Sequence, residues 1–169
     1  MNIYPNEYVT RVEEISIELL RKNNIKALML DADNTLINYS RKMEETIDKW
    51  VKIMKENAIE LYILSNSSKK DKIIKIANRL DIGYVYFAKK PLKFGFKKVQ
   101  KSLGIPFENI AIVGDQIFTD IIGGNRCNMF SILVDPIEEK DFWYTAFKRP
   151  VEKKIVEKYL KIKQKNKGE

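Results

Sequence analysis

Residues 27–36, ALMLDADNTL, decide the fold of this chain. A run of four apolar residues, Ala27–Leu30, is followed directly by two carboxylates, Asp31 and Asp33, and then by Thr35. Short apolar runs bounded by polar residues are typical of strands that are buried on both faces. Two carboxylates this close repel each other, and a bound divalent cation such as Mg²⁺, which prefers oxygen ligands, relieves the repulsion. The stretch therefore predicts a buried strand that ends in a metal-binding edge.

Taken alone, the acidic stretch has three other interpretations. Asp and Asn turn readily, so residues 31–35 can also form a plain turn. An EF-hand loop starting at Asp31 needs Gly at its sixth and Glu at its twelfth position; Leu36 and Lys42 stand there, which excludes it. The chain contains neither a P-loop motif nor GxGxxG, which excludes a nucleotide-binding loop of those kinds. The plain turn stays open until the other segments are considered.

Apolar runs and helical spacing alternate along the rest of the chain. Four further apolar runs predict strands: Leu61–Leu64, Tyr84–Phe87, Ile110–Val113 and Ser131–Val134. Five stretches have the spacing of helices: Val12–Lys22, Glu44–Asn57, Lys69–Leu80, Phe96–Leu103 and Thr119–Asn128. Alternating strands and helices predict an α/β fold, with a Rossmann-like parallel sheet of about five strands and helices on both faces.

Polar residues follow four of the predicted strands at the point where each strand ends. They are Asp31, Asp33 and Thr35; Ser65 and Asn66; Lys89 and Lys90; and Asp115 and Asp120. Ligands of open parallel sheets bind at the carboxyl ends of the strands. Each group by itself has an ordinary interpretation, as a helix cap, a charged turn or the start of a loop. All four together predict one site that brings acids, a hydroxyl and lysines to a single edge of the sheet.

The composition restricts the chemistry and the class of protein. The chain has 169 residues, 44% of them apolar, which fits a single domain over residues 1–169. It has no histidine, which excludes histidine-based zinc sites and Ser-His or Cys-His nucleophiles. Its one cysteine, Cys127, cannot form an internal disulfide, and no apolar run is long enough to cross a bilayer. We therefore expect a cytoplasmic protein.

The positive charge is concentrated in the C-terminal stretch. The net charge is +8, and residues 148–169 contain nine Lys or Arg against three Glu. We predict a basic helix from about residue 150 with an apolar stripe: Val151, Ile155, Tyr159 and Ile162, with Val156 and Leu160 beside them. Such a helix either lies peripherally on the inner face of an anionic membrane, with Trp143, Tyr144 and Phe147 at the interface, or packs on the core. Nucleic acid is a less favoured partner, because the chain has no RNA-recognition motif.

Four motifs together give this chain a family resemblance. DxDxT in the acidic stretch, a serine after the next strand, a Lys before Pro91 and GDxxxxD at 114–120 resemble the motifs of the haloacid dehalogenase (HAD) phosphohydrolase superfamily. Three longer stretches, DADNTL at 31–36, AKKPLK at 88–93 and GDQIFTDIIGGNR at 114–126, resemble the bacterial YqeG family. That family is similar to the mitochondrial phosphatidylglycerophosphate phosphatases.

The resemblance implies a phosphatase that depends on Mg²⁺, with a role for each site residue. Asp31 would be the nucleophile that forms an aspartyl-phosphate, and Asp33 would serve as acid and then base. Lys90, rather than Lys89, would neutralise the phosphate and Asp31. The substrate-binding residues would be Thr35, Ser65 and Asn66. The Mg²⁺ ligands would be Asp31, the Asp33 carbonyl and Asp115, with Asp120 in support.

The short intervals between the motifs predict a HAD fold without a cap. The intervals from Asp33 to Ser65 and from Ser65 to Lys90 each have room for one helix and one strand. An open site accepts a phosphate on something large, such as a lipid surface. The leading hypothesis is dephosphorylation of phosphatidylglycerophosphate, with an anionic lipid headgroup as partner. The alternatives are a general nucleotide or sugar phosphatase and a basic RNA-binding or ribosome-associated module.

Overall fold

The chain folds as alternating strands and helices. A computed structural model describes residues 2–139 and 148–167. The elements are β1 (Glu7–Val9), α1 (Ile17–Lys22), β2 (Ala27–Leu30), α2 (Glu45–Glu56), β3 (Glu60–Leu64), α3 (Lys70–Leu80), β4 (Gly83–Val85), α4 (Lys93–Leu103), β5 (Ile110–Gly114), α5 (Ile122–Arg126), β6 (Phe130–Val134) and α6 (Arg149–Lys167). Short helical turns lie at Val12–Glu14, Phe107–Asn109 and Ile117–Ile121, the last of them π-helical.

The strands form one parallel sheet in the order β1-β6-β5-β2-β3-β4. This confirms the predicted α/β class, but the prediction of about five strands was one short, because the sheet has six. The missed strand is β1, a three-residue edge strand that pairs with β6 and is only half-buried. Its sequence, Glu-Tyr-Val, is too short and too polar to stand out as an apolar run.

The predicted strand at Ala27–Leu30 has the observed bounds, and the other four predicted strands lie within two residues of theirs. Two predicted helices were wrong in form. The stretch Val12–Lys22 is a 3₁₀ turn followed by α1, because the chain restarts at Ser16, whose hydroxyl caps the new helix. The stretch Thr119–Asn128 contains the end of the π-helical turn and then the short α5.

Both faces of the sheet are covered by helices. In β2 the side chains alternate: Leu28 and Leu30 enter the core layer beneath α1, α2 and α3, while Ala27 and Met29 enter the layer beneath α4. All four are fully buried, which explains why the run is apolar without alternation. The same double coverage leaves the carboxyl edge as the place where polar side chains emerge from the ends of the strands.

Helix α6 packs against the side of the sheet formed by β1 and β6. Ile155 and Val156 contact a small apolar cluster that includes residues of both strands and of the π-helical turn. Tyr159 is buried, its ring lies 6.4 Å from that of Tyr4, and its hydroxyl donates to the carbonyl of Asn6 at 3.3 Å. Of the two alternatives for the basic helix, packing on the core therefore holds for these three stripe residues.

The remaining residues predicted to contact a membrane are either exposed or not described. The other stripe residues, Val151, Leu160 and Ile162, are exposed. Trp143, Tyr144 and Phe147 lie outside the described residues. None of the helices described in 2–139 and 148–167 has the length and apolarity needed to span a bilayer.

The predicted absence of a cap is confirmed for both intervals, which the structure describes in full. From Asp33 to Ser65 the chain forms α2 and β3, and from Ser65 to Lys90 it forms α3 and β4. Each interval is used to build the sheet and its covering layer. The carboxyl edge near these residues therefore stays open.

Candidate active site

A cavity of about 510 Å³ opens at the carboxyl edge, where β2, β3, β4 and β5 end. Five of the predicted site residues line it: Asp31, Asp33, Ser65, Asn66 and Lys90. The three others, Thr35, Asp115 and Asp120, are buried next to them and contact Asp31 or Lys90. The structure thus brings together predicted residues from all four segments.

We call Asp31, Lys90, Asp115 and Asp120 the floor of the cavity. Lys90 Nζ lies 2.7 Å from Asp31 Oδ1 and 2.6 Å from Asp120 Oδ1, and its side chain is 1% exposed. The Thr35 hydroxyl lies 3.2 Å from Asp31 Oδ2 and 3.4 Å from Asp115 Oδ1. A buried ion pair is tolerated only when its remaining polar atoms are satisfied. In the described ranges no buried side-chain nitrogen or oxygen lacks a partner.

Asn66 holds the loop that carries Lys90. Its side-chain oxygen accepts the Lys90 N–H at 2.6 Å, and its amide donates to the Lys90 carbonyl at 3.0 Å. Lys89 points elsewhere: it is exposed, and its Nζ lies 5.1 Å from the centroid of the Phe87 ring. The structure therefore places Lys90, and not Lys89, among the site carboxylates.

The approach of Asp120 to the floor depends on a glycine. Asp115 directly follows β5, and Asp120 comes from the π-helical turn, where it accepts the Gln116 N–H at 3.2 Å. A Cβ on Gly114 would lie 2.2 Å from Asp120 Cγ, far inside van der Waals contact. Gly114 is thus needed because any side chain there would displace the Asp120 carboxylate.

Burial controls the protonation of the floor. It raises the pKa of Asp31 from 3.8 to about 6, with Lys90 opposing the rise and Asp120 adding to it. It likewise raises the pKa of Asp115 to about 6, where the charge of Asp31 adds to the effect and Arg149 opposes it. The pKa of Asp120 is also raised, chiefly by burial. Burial alone would lower the pKa of Lys90, but Asp120 and Asp31 outweigh it, so the pKa of Lys90 is raised.

The floor has the donor set of a hard divalent cation. One carboxylate oxygen each from Asp31, Asp115 and Asp120 lies within 4.8 Å of the other two. Of the described side chains, Lys90 and Arg149 form ion pairs with these acids. Arg149 is shared with Glu152 at 3.7 Å, so these two cations do not fully offset the negative charge of the three carboxylates. Oxygen ligands and excess negative charge together fit a metal such as Mg²⁺ or Mn²⁺.

Asp33 lies apart from the floor. Its carboxylate is 46% exposed and pairs with Lys72 of α3 at 2.5 Å, while the Lys72 side chain is mostly buried. Sequence reasoning missed Lys72. A lysine in the first turn of an amphipathic helix looks the same whether it faces solvent or a site, and only the register of α3 against the cavity distinguishes the two.

Arg149, at the start of α6, is the second residue that sequence reasoning missed. Its guanidinium lies 2.8 Å from Asp115 Oδ2 and donates to the Asp115 carbonyl at 3.3 Å, and its side chain is 14% exposed. In the sequence Arg149 is one of nine cations in the basic stretch, and no local pattern separates it from the others. The contact depends on how α6 docks, which is a long-range property.

We call Asp33, Lys72, Arg41, Lys69 and Lys148 the rim of the cavity, since all five line it above the floor. Arg41, Lys69 and Lys148 are exposed. Within the described part of the chain, no carboxylate forms an ion pair with these three side chains. The rim therefore presents positive charge that is available to an anionic ligand.

Similar proteins indicate the family of this chain. Residues 1–138 match the family model described as Mitochondrial PGP phosphatase. The Bacillus subtilis (strain 168) protein named Probable phosphatase YqeG is 33% identical over 153 residues, covering 90% of this chain and 88% of that protein. A solved structure of an uncharacterized protein from Listeria monocytogenes serotype 4b gives a TM-score of 0.57 at 17% identity, over 70% of this chain and 85% of that chain.

A second solved structure, from Streptomyces avermitilis, is of a protein assigned to the HAD family hydrolases. It gives a TM-score of 0.51 at 16% identity, over 66% of this chain and 67% of that chain. These two structural likenesses concern the fold, whereas the family model and the B. subtilis relative concern the sequence along nearly its whole length. The resemblance predicted from the motifs is confirmed: the chain belongs to the mitochondrial PGP phosphatase family, is related to the B. subtilis YqeG protein, and is a phosphoric monoester hydrolase with a HAD-like fold.

Proposed function

We propose that this chain uses Mg²⁺ to remove the terminal phosphate of phosphatidylglycerophosphate, by way of an aspartyl-phosphate on Asp31. One observation carries the proposal: the Asp31 carboxylate is fixed by Lys90 at the bottom of an open cavity, beside the acidic group that fits a divalent cation. Phosphate monoesters hydrolyse extremely slowly in water, and a covalent intermediate divides the reaction into two easier steps.

The first step forms the intermediate. An Asp31 oxygen attacks phosphorus, the bond from phosphorus to the ester oxygen breaks, and Asp33 donates a proton to the leaving oxygen. In the second step water attacks the same phosphorus, Asp33 takes its proton, and the bond from phosphorus to Asp31 breaks. Asp33 must hold a proton for the first task and lack it for the second, and its half-exposed carboxyl can leave Lys72 to contact the leaving oxygen or water.

The surrounding groups offset the charge of the transferring phosphoryl group. The Ser65 hydroxyl accepts the Ser67 N–H at 3.1 Å, which leaves its own proton for a phosphate oxygen. Thr35, between Asp31 and Asp115, and Asn66, through the Lys90 loop, keep the floor and the phosphate site in place. The Mg²⁺ ligands would be Asp31, Asp115 and the Asp33 carbonyl, with Asp120 in support, and the ion would neutralise phosphoryl oxygens when bound.

Three observations support the lipid substrate. The family model takes its description from PGP phosphatase. The two described intervals between the motifs contain no cap, so the headgroup of a lipid could reach the site without leaving the surface of a bilayer. Phosphatidylglycerophosphate also carries a phosphodiester beside its phosphomonoester, and the cations of the rim, Arg41, Lys69 and Lys148, are available for that second negative charge.

A substrate panel run with wild type and Asp31→Asn side by side tests the proposal. With Mg²⁺, wild type should release phosphate from phosphatidylglycerophosphate in detergent micelles faster than from nucleoside monophosphates or sugar phosphates. Asp31→Asn should lose at least about 10,000-fold of this activity, because it removes the attacking group. The matched control is Asp71→Asn, an exposed acid next to Lys72, which should retain activity.

Two results would contradict the proposal. Faster turnover of the soluble esters than of the lipid would indicate a general nucleotide or sugar phosphatase. RNA binding that falls steeply with salt and survives Asp31→Asn, without hydrolysis of any ester, would indicate a binding module instead.

A further inference from the structure

An apolar surface framed by lysines borders the mouth of the cavity. It consists of Tyr86, Phe87, Leu92 and Phe94, which are 38%, 52%, 53% and 67% exposed, and we call it the loop surface. None of these four residues is among those that line the cavity. We infer that the loop surface docks on an anionic lipid bilayer and so presents the cavity to phosphate esters at the membrane, an inference that rests on the proposed lipid substrate.

The loop surface is built onto the candidate active site. The Phe87 N–H donates to the Ser67 carbonyl and the Ala88 N–H to the Ser65 carbonyl, both at 2.9 Å. The Leu92 N–H donates to the Lys89 carbonyl at 2.9 Å, which closes the turn that contains Lys90. Residues 86–94 therefore carry both Lys90, the buried lysine of the floor, and the exposed apolar side chains. A membrane that contacts these side chains lies at the mouth of the cavity.

The backbone at Phe87 is held in an unusual conformation. Its φ is +49°, in the left-handed region that bulky residues rarely adopt. An exposed ring gives little burial energy in return, so the fold alone does not explain a phenylalanine at this position. Strained positions that the surroundings fix in place are concentrated at functional sites. In this conformation the Phe87 ring is exposed to solvent next to the candidate active site.

The charge of the loop surface complements an anionic bilayer. Residues 82–107 contain six lysines and no acidic residue. Lys70 Nζ lies 5.8 Å from the Tyr86 ring centroid, and Lys89 Nζ lies over the Phe87 ring. On α4, Lys97 comes three residues after Phe94 and therefore lies on the same side of the helix. Apolar side chains surrounded by lysines are typical of segments that insert into the headgroup region of anionic membranes.

The exposed residues of α6 do not form a comparable surface. At about 100° per residue, Leu160 projects from the side of the helix opposite to Val151 and Ile162. Val151 and Ile162 share a side but lie about 16 Å apart along the axis. The apolar residues between them on the helix, Ile155 and Tyr159, face the domain. The contact with a membrane that the sequence predicted for this helix is therefore assigned to the loop surface.

Vesicle co-sedimentation tests the inference directly. The full chain is mixed with vesicles of phosphatidylcholine and phosphatidylglycerol in equal parts, and separately with phosphatidylcholine alone. The triple variant Phe87→Ser, Leu92→Ser, Phe94→Ser should bind the anionic vesicles about 10- to 100-fold more weakly than wild type, because each buried apolar side chain contributes strongly to partitioning. The control, Val151→Ser with Ile162→Ser, removes two exposed apolar groups from α6, 48% and 41% exposed, and should bind like wild type. Wild type should bind more weakly to phosphatidylcholine alone and at high salt.

The outcomes separate this inference from the proposed substrate. Equal binding by wild type and the triple variant, or loss of binding in the α6 variant instead, would overturn the loop surface. Binding of a short RNA that the triple variant loses, with no vesicle binding by wild type, would also overturn it and indicate a nucleic-acid partner. Hydrolysis of a soluble ester shows that each variant is folded. If the wild type sediments with anionic vesicles but never releases phosphate from micellar phosphatidylglycerophosphate, the docking surface stands and the substrate proposal fails.

Discussion

The floor and the rim of the cavity contain the same residue types in opposite surroundings. On the floor, Lys90 is enclosed by Asp31 and Asp120, and these three side chains are 1%, 10% and 1% exposed. On the rim, Lys72 pairs with Asp33, whose carboxylate is close to half exposed. A buried ion pair that loses one partner leaves an uncompensated charge, whereas an exposed pair can exchange its partner for water at little cost. From this difference we predict that substitutions on the floor change stability and cation binding, whereas substitutions on the rim have smaller effects on both.

Removal of the floor lysine should have the largest effect. Lys90→Met keeps the length of the side chain but leaves two buried carboxylates without their cation. We expect a loss of about 3 kcal/mol in the free energy of unfolding and a fall of at least about 100-fold in phosphate release. Urea unfolding without divalent cations measures the first and a soluble-ester assay the second. Lys89→Met, one residue away but exposed, should change the unfolding free energy by less than about 0.5 kcal/mol; similar losses in both variants would erase the distinction between floor and exterior.

The protonation of the floor should make cation binding depend on pH. Asp31 and Asp115 have pKa values raised to about 6, so below that pH a cation must displace protons, and above it both carboxylates are ionised. The apparent affinity for Mg²⁺ should therefore increase about 10- to 100-fold between pH 5 and pH 7. The sign for the metal-free protein is opposite: its stability should fall as the pH rises from about 4 through 6, because the folded state opposes ionisation of these acids. Calorimetric titration and thermal unfolding measure the two effects.

Asp33→Asn provides the control for this pH dependence. The substitution removes a carboxyl from the rim and keeps the backbone carbonyl, so the slope of Mg²⁺ affinity against pH should be the same as in wild type. If the Mg²⁺ affinity of this variant did not depend on pH, the titrating group would be Asp33 on the rim and not the carboxylates of the floor.

Arg149 should give an intermediate effect, because it reaches the floor from outside. Arg149→Gln removes the cation next to Asp115, so the metal-free protein should lose about 2 kcal/mol of stability. The floor becomes more negative at the same time, and Mg²⁺ should bind about fivefold more tightly. Chemical unfolding without Mg²⁺ measures the loss of stability, and calorimetric titration with Mg²⁺ measures the change in affinity. Lys154→Gln, an exposed cation on the same helix, should change neither; weaker Mg²⁺ binding in Arg149→Gln would mean that the guanidinium positions Asp115 for the metal rather than competing with it.

The smallest effect is expected for the rim pair. Lys72→Met should change the free energy of unfolding by less than about 1 kcal/mol, since Asp33 remains in contact with water. Turnover of soluble esters should fall about three- to tenfold, because the variant loses a cation near the leaving group. Steady-state kinetics with Lys75→Met, an exposed lysine one turn further along α3, as reference will show whether the loss is specific. A stability loss as large as that of Lys90→Met would show that the rim is as tightly coupled as the floor.

The sequence was most informative where local chemistry is enough. Ala27–Leu30 is apolar at every position because β2 is covered on both faces, and the acids and lysine that follow the strands meet because parallel strands end at one edge. The sequence alone therefore predicts that the floor residues Asp31, Lys90, Asp115 and Asp120 lie together. Their roles in catalysis stay predictions that the variants above test.

What the sequence did not reveal depends on contacts between distant segments. β1 exists as a strand only because β6 lies beside it, and its three residues have no distinctive pattern of their own. Lys72 and Arg149 join the site through the orientation of α3 and the docking of α6. Periodicity could not show which residues of the α6 stripe pack on the domain and which face solvent, because all six have the same helical spacing.

The ion pair between Arg149 and Asp115 joins the segment that matches the family model to a helix that lies beyond it. The family model ends at residue 138, and α6 begins at Arg149, beyond it. A chimera that keeps residues 1–138 and takes its last helix from a relative would therefore retain every carboxylate of the floor and change the countercharge that faces one of them. If the floor binds a divalent cation as proposed, a change confined to α6 would therefore alter the affinity for that cation without any substitution in the four motifs.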